Sequence, residues 1–282
     1  MKENNIKNQI FKDNKLLVIS IILFIILIVC FLLRTNAKVN LNNKKIEITA
    51  HRGASMYYPE NTMSAFVAAK DLKADWIELD IQQTTDKEIV VFHDVNLFGI
   101  TDVNKEIINM TYDEVSKIDV GKYKGSKFIG EKIPRLEDVI RFAKDNNVKL
   151  NIEFKLVNKK IDYEKDVMDL LKKYDYTKNS VIASASLEVL KNIKSIDKDM
   201  KTVYIMYYLE GSVPDIEYVD AYSIYEASVN ERVVNEIHDK GKEIYVWTLN
   251  TKASINKMIN LGIDNIITDD VKLAKNILSE IN

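Results

Sequence analysis

The sequence predicts a (β/α)8 barrel of the TIM type, carrying a β-hairpin and a small insert and preceded by one transmembrane helix. Three observations point to the barrel. Short β-rich runs alternate with helical patterns from residue 46 to the C-terminus, the order that builds a parallel sheet with crossover helices. One pair of candidate strands lies too close in sequence for a parallel crossover, so it forms a hairpin and leaves eight strands that can be parallel. Paired charges sit on single faces of otherwise apolar strands, near the C-terminal strand ends where barrel enzymes build their sites.

Taken in order, the candidate strands cover residues 46–50, 76–82, 89–93, 149–155, 180–183, 202–206, 220–224, 243–247 and 265–268. Helical patterns cover residues 62–72, 136–146, 163–174, 187–193, 230–240, 252–261 and 271–278. Six residues separate Gln82 from Ile89, whereas a parallel crossover needs about a dozen. The second and third strands therefore form an antiparallel hairpin, tightest around Asp86-Lys87. Pairing across a two-residue turn sets 84 opposite 89, 82 opposite 91 and 80 opposite 93. That register brings Asp80 and His93 to one face. Residues 95–133 break the alternation. They hold Gly121, Gly125 and Gly130 and a capping-box pattern from Thr111 to Glu114, and they read as a small insert beside the barrel mouth, a connection long enough to be functional.

The N-terminal segment reads differently. Residues 16–33 form an apolar run broken only by Ser20 and Cys30, about long enough to cross a hydrocarbon core and too long for a signal-peptide h-region of about 7–15 residues. The expected organisation is a cytoplasmic tail over 1–15, an anchor over 16–33, a linker over 34–45 and a catalytic barrel over 46–282. Lys2, Lys7, Lys12 and Lys15 precede the run, while Arg34 and Lys38 follow it. The positive-inside rule then keeps the N-terminus in the cytoplasm and the barrel outside the cell membrane. A formal net charge of −2 gives no electrostatic footprint for nucleic acid. The single cysteine, Cys30, excludes a disulfide framework and a cysteine-based metal site.

Chemistry concentrates in a few strand residues. In Trp76-Ile77-Glu78-Leu79-Asp80-Ile81, Glu78 and Asp80 share a face; in Leu150-Asn151-Ile152-Glu153-Phe154-Lys155, so do Glu153 and Lys155. An uncompensated buried carboxylate costs several kcal/mol, so a fold keeps such groups inside where a cation binds. Three carboxylates without cysteine suit Mg²⁺ or Ca²⁺, hard ions that take oxygen ligands. His51-Arg52-Gly53 follows the first strand. Arg52 suits a phosphate through its fork and Lys155 as a point charge. His51 and His93 suit a general base and a general acid, because imidazole titrates near neutrality. These parts serve metal-assisted phosphodiester cleavage. Of the remaining candidates, His238 reads as a surface residue of the 230–240 helix. Glu60 and Asn61 read either as caps of the following helix or as site contacts. Trp247 belongs either to the core or to the mouth, and Asp269 and Asp270 read as caps of the last helix.

The same residues carry a resemblance. His51-Arg52-Gly53, Pro59-Glu60-Asn61-Thr62, Ile77-Glu78-Leu79-Asp80, Val90-Val91-Phe92-His93-Asp94, Pro134-Arg135-Leu136-Glu137, Glu153-Phe154-Lys155, Trp247-Thr248-Leu249-Asn250 and Thr268-Asp269 occur in that order. The chain resembles a glycerophosphodiester phosphodiesterase from about Ile48 to Val271. The resemblance implies a barrel, a divalent metal and cleavage of glycerophosphodiesters to glycerol 3-phosphate and an alcohol. It implies His51 and His93 as the acid–base pair, Glu78, Asp80 and Glu153 as metal ligands, and Arg52 and Lys155 as phosphate contacts, with Trp247 against the glycerol end. The nucleophile is either water or the glycerol 2-hydroxyl. Related expectations are a lysophospholipase D or teichoic-acid phosphodiesterase acting on a larger, lysolipid-like or polymeric substrate, and a catalytically silent binding module. The chain departs from the pattern at Lys73 and Lys87, where the family usually has glycine, and at Phe98-Gly99-Ile100-Thr101 within the insert.

Overall fold

The computed structural model describes residues 45–155 and 162–281, together with Phe24 and Ile25. The strands are β1 (Glu47–Ala50), β2 (Trp76–Gln83), β3 (Ile89–Val91), β4 (Lys149–Phe154), β5 (Ser180–Ser184), β6 (Lys201–Met206), β7 (Ala221–Tyr225), β8 (Glu243–Trp247) and β9 (Asn265–Thr268). The helices are α1 (Met63–Asp71), α2 (Leu136–Asn146), α3 (Glu164–Lys173), α4 (Leu187–Ile196), α5 (Glu231–Asp239), α6 (Lys252–Leu261) and α7 (Val271–Ile281), with a one-turn helix at Tyr112–Val115. Strand order is β1-β9-β8-β7-β6-β5-β4-β2-β3, and β1 also pairs with β2. Eight parallel strands thus close a barrel, with β3 as the antiparallel extra. The expected strands and helices are all present. The anchor expected over residues 16–33 lies outside the described residues apart from Phe24 and Ile25. Among the described residues, no helix is long and apolar enough to cross a membrane.

The helices start where side chains can take up orphan backbone N–H groups. Thr62 caps α1, Ser186 caps α4, Asn230 caps α5, and Thr251 caps α6 in a capping box with Ser254. Gly262, at φ 82°, ends α6 in the left-handed conformation that glycine adopts without steric cost.

The pairings of β2 place the two ends of chain that matter most. Trp76 and Ile77 pair with β1 on one edge and with β4 on the other. Ile81 pairs with Phe154 of β4 and with Val91 of β3. β1 and β3 therefore occupy the same edge of β2. β1 climbs toward the rim and stops, and β3 descends toward it from the hairpin tip.

The hairpin register differs from the expected one by one residue. Gln82 lies opposite Val90 and Ile81 opposite Val91. The loop has three residues rather than two. Thr84 N–H donates to Glu88 O, Lys87 N–H donates to Thr84 O, and Lys87 takes φ 67°. This is a type I turn followed by a left-handed residue, the second common hairpin geometry. A one-residue slip exchanges the two faces of a strand, which would turn His93 away from Asp80 if the ladder continued. It does not. β3 ends at Val91, whose N–H donates to Pro134 O; the Phe92 N–H gives a last bond to Asp80 O, and the chain leaves the ladder at His93. His93 reaches the mouth from that free segment.

The insert packs a small core of its own. Leu97, Ile107, Met110, Val115, Ile118, Val120 and Ile133 bury themselves against Val90 and Phe92 of the hairpin arm. It is also tied to the loop after β1: Lys124 Nζ donates to Ser55 O at 2.6 Å and the Tyr123 hydroxyl accepts from Glu60 N–H at 3.0 Å. The barrel floor is a polar plug. Lys149 Nζ and Trp76 Nε1 both bond Glu47, at 2.6 and 2.5 Å, and Lys201 bonds Glu243 at 2.7 Å.

Candidate active site

Above that floor the interior divides into two halves. Inward residues of β1, β2 and β4 are polar or charged. Those of β5 to β9, Ser223 apart, are mostly apolar and include Val181, Ala183, Val203, Ile205, Ala221 and Ile267. The mouth holds a cavity of about 300 Å³. His51, Arg52, Glu78, His93, Glu153 and Lys155 line one side of it, and Ile205, Tyr207 and Trp247 line the other.

The turn after β1 is built to deliver backbone as well as side chains. Arg52 and Gly53 both adopt positive φ, 55° and 81°. A Cβ on Gly53 would lie 2.7–2.9 Å from Ala65 atoms, so only glycine fits there. The turn directs the Arg52 N–H to Glu78 Oε2 at 2.8 Å. Asn61, also left-handed at φ 57°, donates from Nδ2 to Asp80 Oδ2 at 2.8 Å. Glu60 bonds the Arg52 guanidinium at 2.8 Å. Both residues are site contacts, because Thr62 supplies the cap of α1.

Glu78, Asp80 and Glu153 offer oxygens within 4.8 Å of one another. Glu78 and Asp80 are 4 % and 1 % exposed. Lys155 Nζ lies 2.7 Å from Glu153 and 3.5 Å from Asp80, and Arg52 Nε lies 3.4 Å from Asp80. Burial pushes Glu78 well above the usual carboxylate range, and the charges of Asp80 and Glu153 push the same way. Burial, then Asp80, raises Glu153. Burial opposes ionisation of Asp80 too, but Lys155 and Arg52, with His93 and Asn61, hold it below its ordinary value. The cluster is thus carboxylate-rich and short of positive charge. Glu78 Oε1 is buried without a hydrogen-bond partner among the described residues. An all-oxygen donor set of this kind fits a hard divalent cation.

Each histidine is held from behind by a carboxylate. His51 Nδ1 meets Asp269 Oδ1 at 2.7 Å, and His93 Nδ1 meets Asp94 Oδ1 at 2.7 Å. That engages Nδ1 of each ring and leaves Nε2 without a hydrogen-bond partner among the described residues. Asp269 is itself fixed by Ser55 Oγ at 2.9 Å and by Asn250 Nδ2 at 2.6 Å. Burial would raise its pKa, but the hydrogen bond and charge of His51 bring it down to about 2. Burial lowers the pKa of His93 and outweighs the pull of Asp80; Arg52 and Lys155 push with burial and the Asp94 hydrogen bond against it, and the net shift favours neutral imidazole.

The expectation that Asp269 caps the last helix is corrected: Asp270 Oδ1 takes the Leu273 N–H, and Asp269 turns to His51. An Asp-Asp pair where one cap suffices is the signal that sequence reasoning passed over. His238 is also not a plain surface residue, since its Nε2 pairs at 3.0 Å with Asp264, which is 6 % exposed. Gln82 was missed although it continues the inward series Glu78, Asp80, Gln82. Its Nε2 donates to the carbonyls of Phe92 at 3.0 Å and Asp94 at 2.8 Å, bracketing His93. Trp247 stands at the mouth between Tyr207 and Tyr225, with ring centroids 5.2 and 5.4 Å away, and its buried Nε1 has no partner among the described residues.

A closed parallel barrel with this cleft at the C-terminal strand ends defines a barrel phosphodiesterase. A sequence model of the glycerophosphoryl diester phosphodiesterase family matches residues 51–273. The chain belongs to that family. It is 32 % identical over 240 residues to a glycerophosphodiester phosphodiesterase of Caldanaerobacter subterraneus subsp. tengcongensis, covering 83 % of this chain and 98 % of that one. It is 25 % identical over 261 residues to a human lysophospholipase D, covering 78 % and 82 %. Its fold is similar to that of an Oleispira antarctica phosphodiesterase solved with the product sn-glycerol-3-phosphate (TM-score 0.75, 22 % identity, 83 % of this chain and 96 % of that one).

Proposed function

We propose that this protein hydrolyses glycerophosphodiesters to glycerol 3-phosphate and an alcohol, assisted by Mg²⁺ or Ca²⁺ held by Glu78, Asp80 and Glu153. The observation that carries this reading is a single cleft holding three converging carboxylates and two histidines, each backed by an aspartate. A cation bound there supplies Lewis-acid stabilisation of the charge that develops on the phosphoryl oxygens. Arg52 and Lys155, both kept protonated by the neighbouring carboxylates, bind the phosphate from the same side. One histidine takes a proton from the nucleophile, water or the glycerol 2-hydroxyl, and the other gives a proton to the leaving alkoxide. Asp269 and Asp94 fix the two rings so that each Nε2 faces the reacting group. Trp247 Nε1 is free to donate to an oxygen of the glycerol end.

The test is a coupled assay of glycerol 3-phosphate release from several glycerophosphodiesters, with and without chelator. Activity lost to chelator and restored by Mg²⁺ or Ca²⁺ is expected, and full activity after exhaustive chelation overturns the metal reading. A lysophospholipase D or teichoic-acid phosphodiesterase reading shares the chemistry. The half-exposed rings of Tyr207 and Tyr225 beside Trp247 favour it, since they offer an apolar rest for a larger alcohol. Faster turnover of lysolipids or poly(glycerol phosphate) than of small glycerophosphodiesters in the same assay selects it.

We also propose that residues 16–33 anchor the chain in the cell membrane with the barrel outside, from the length of the apolar run and the flanking lysines. Protease added to wall-free cells should remove the barrel; protection until lysis reverses the topology.

A further inference from the structure

The proposed cation site has a fourth oxygen beside it. Asn151 is the register partner of Glu78 on the adjoining strand and lies two residues before Glu153, so all three share the inward face. It is 2 % exposed and lines the same cleft as Glu78 and Glu153. Its Oδ1 is buried and, among the described residues, accepts no hydrogen bond; Glu78 Oε1 is in the same condition. An amide has both a donor and an acceptor end. Both unpartnered oxygens belong to inward-facing residues of neighbouring strands, and buried acceptors are rarely left without a donor unless a ligand completes them. A water, or a proton on Glu78, would bridge the two oxygens as well, but neither offsets the negative charge of the three converging carboxylates. A cation satisfies both.

We infer that Asn151 Oδ1 is a fourth protein ligand of the divalent cation, an inference that rests on the metal reading above. The neutrality of the ligand matters. A fourth carboxylate would add negative charge to a site that must also admit a phosphate anion, whereas an amide oxygen adds a coordination bond and no charge. Four protein oxygens leave room in a coordination shell of about six to eight for phosphate oxygens, a hydroxyl or water.

The test is calorimetric titration of the metal-free, full-length chain in detergent with Mg²⁺ and, separately, with Ca²⁺. Asn151→Leu removes the oxygen at similar volume, Asn151→Asp keeps an oxygen in place, and Glu153→Gln reports on the underlying site. The inference expects Asn151→Leu to bind the cation at least ~10-fold more weakly, and Asn151→Asp to bind as tightly as the native chain or more so. Native affinity for Asn151→Leu alongside a weakened Glu153→Gln overturns the ligand assignment alone. Native affinity for Glu153→Gln as well overturns the cation reading beneath it. Unchanged metal affinity with a raised KM in Asn151→Leu gives the oxygen to the substrate and also overturns the inference. If Asn151→Leu does not fold, Asn151→Asp decides: affinity more than ~10-fold below native counts against an oxygen ligand at this position.

Discussion

Two histidines, each with an aspartate on Nδ1, make the residue scale unusually testable. If each ring performs one proton transfer, His51→Ala and His93→Ala should each lower kcat by about 10²–10⁴-fold. The double variant should be far less than multiplicatively worse, since groups acting as a unit are not additive. His238→Ala should leave kcat unchanged and lower only the thermal midpoint, because its partner Asp264 lies remote from the cleft. A substrate with a very acidic leaving group should rescue one catalytic variant and so identify the acid. On the proposed mechanism Gln82 would act through His93, by holding the carbonyls on either side of it. Gln82→Met keeps the bulk and loses both donors, so kcat should fall with little change in KM, whereas a merely structural role would move the melting temperature alone. Asp269 makes a pH prediction. Its carboxyl drops from 3.8 to about 2 in the folded protein. The stability this contributes, about 2 kcal/mol, is complete above the unfolded value and disappears as pH falls from about 4 toward 2. Asp269→Asn should therefore flatten the acid limb of stability measured by denaturant unfolding, and the two proteins should converge near pH 2.

At the scale of elements, Lys87 at the hairpin tip and Lys73 after α1 hold φ of 67° and 60°. An L-residue there costs about 1–2 kcal/mol, offset in part by the greater chain entropy glycine loses on folding. Lys73→Gly and Lys87→Gly should each raise the thermal midpoint by about 1–4 °C in calorimetry; a fall in both would contradict the backbone strain. Lys87 also explains where sequence reasoning failed. A lysine carries no turn signal, so the sequence pattern yields a loop one residue too short and a register slipped with it. The helices and the parallel strands were legible because periodicity and capping residues are local. The His51–Asp269 pair joins residues 218 positions apart, and Asn61 bonds Asp80 only because its left-handed backbone aims it there. No local pattern announces either.

The whole barrel answers to its charge. Burial holds Glu78 and Glu153 above their usual pKa without a cation, so a cation should stabilise the fold and not only activate it. At about 100-fold excess over Kd the gain is roughly 2.7 kcal/mol, or about 5–10 °C in melting temperature for a chain of this size. Scanning calorimetry with metal and with chelator measures it, and Glu153→Gln should abolish most of the difference. The division of the interior has a geometric consequence. On the proposed reading the plugged floor closes one direction, the cationic and acidic half would fix the phosphoryl group, and the aromatic half would receive the carbon skeleton. Three unlike, non-collinear points of attachment are the minimum by which a rigid surface tells a molecule from its mirror image. The central carbon of a glycerol phosphate is a stereocentre, so of its two hands one should meet all three points at once, and the barrel should be chiral in what it accepts.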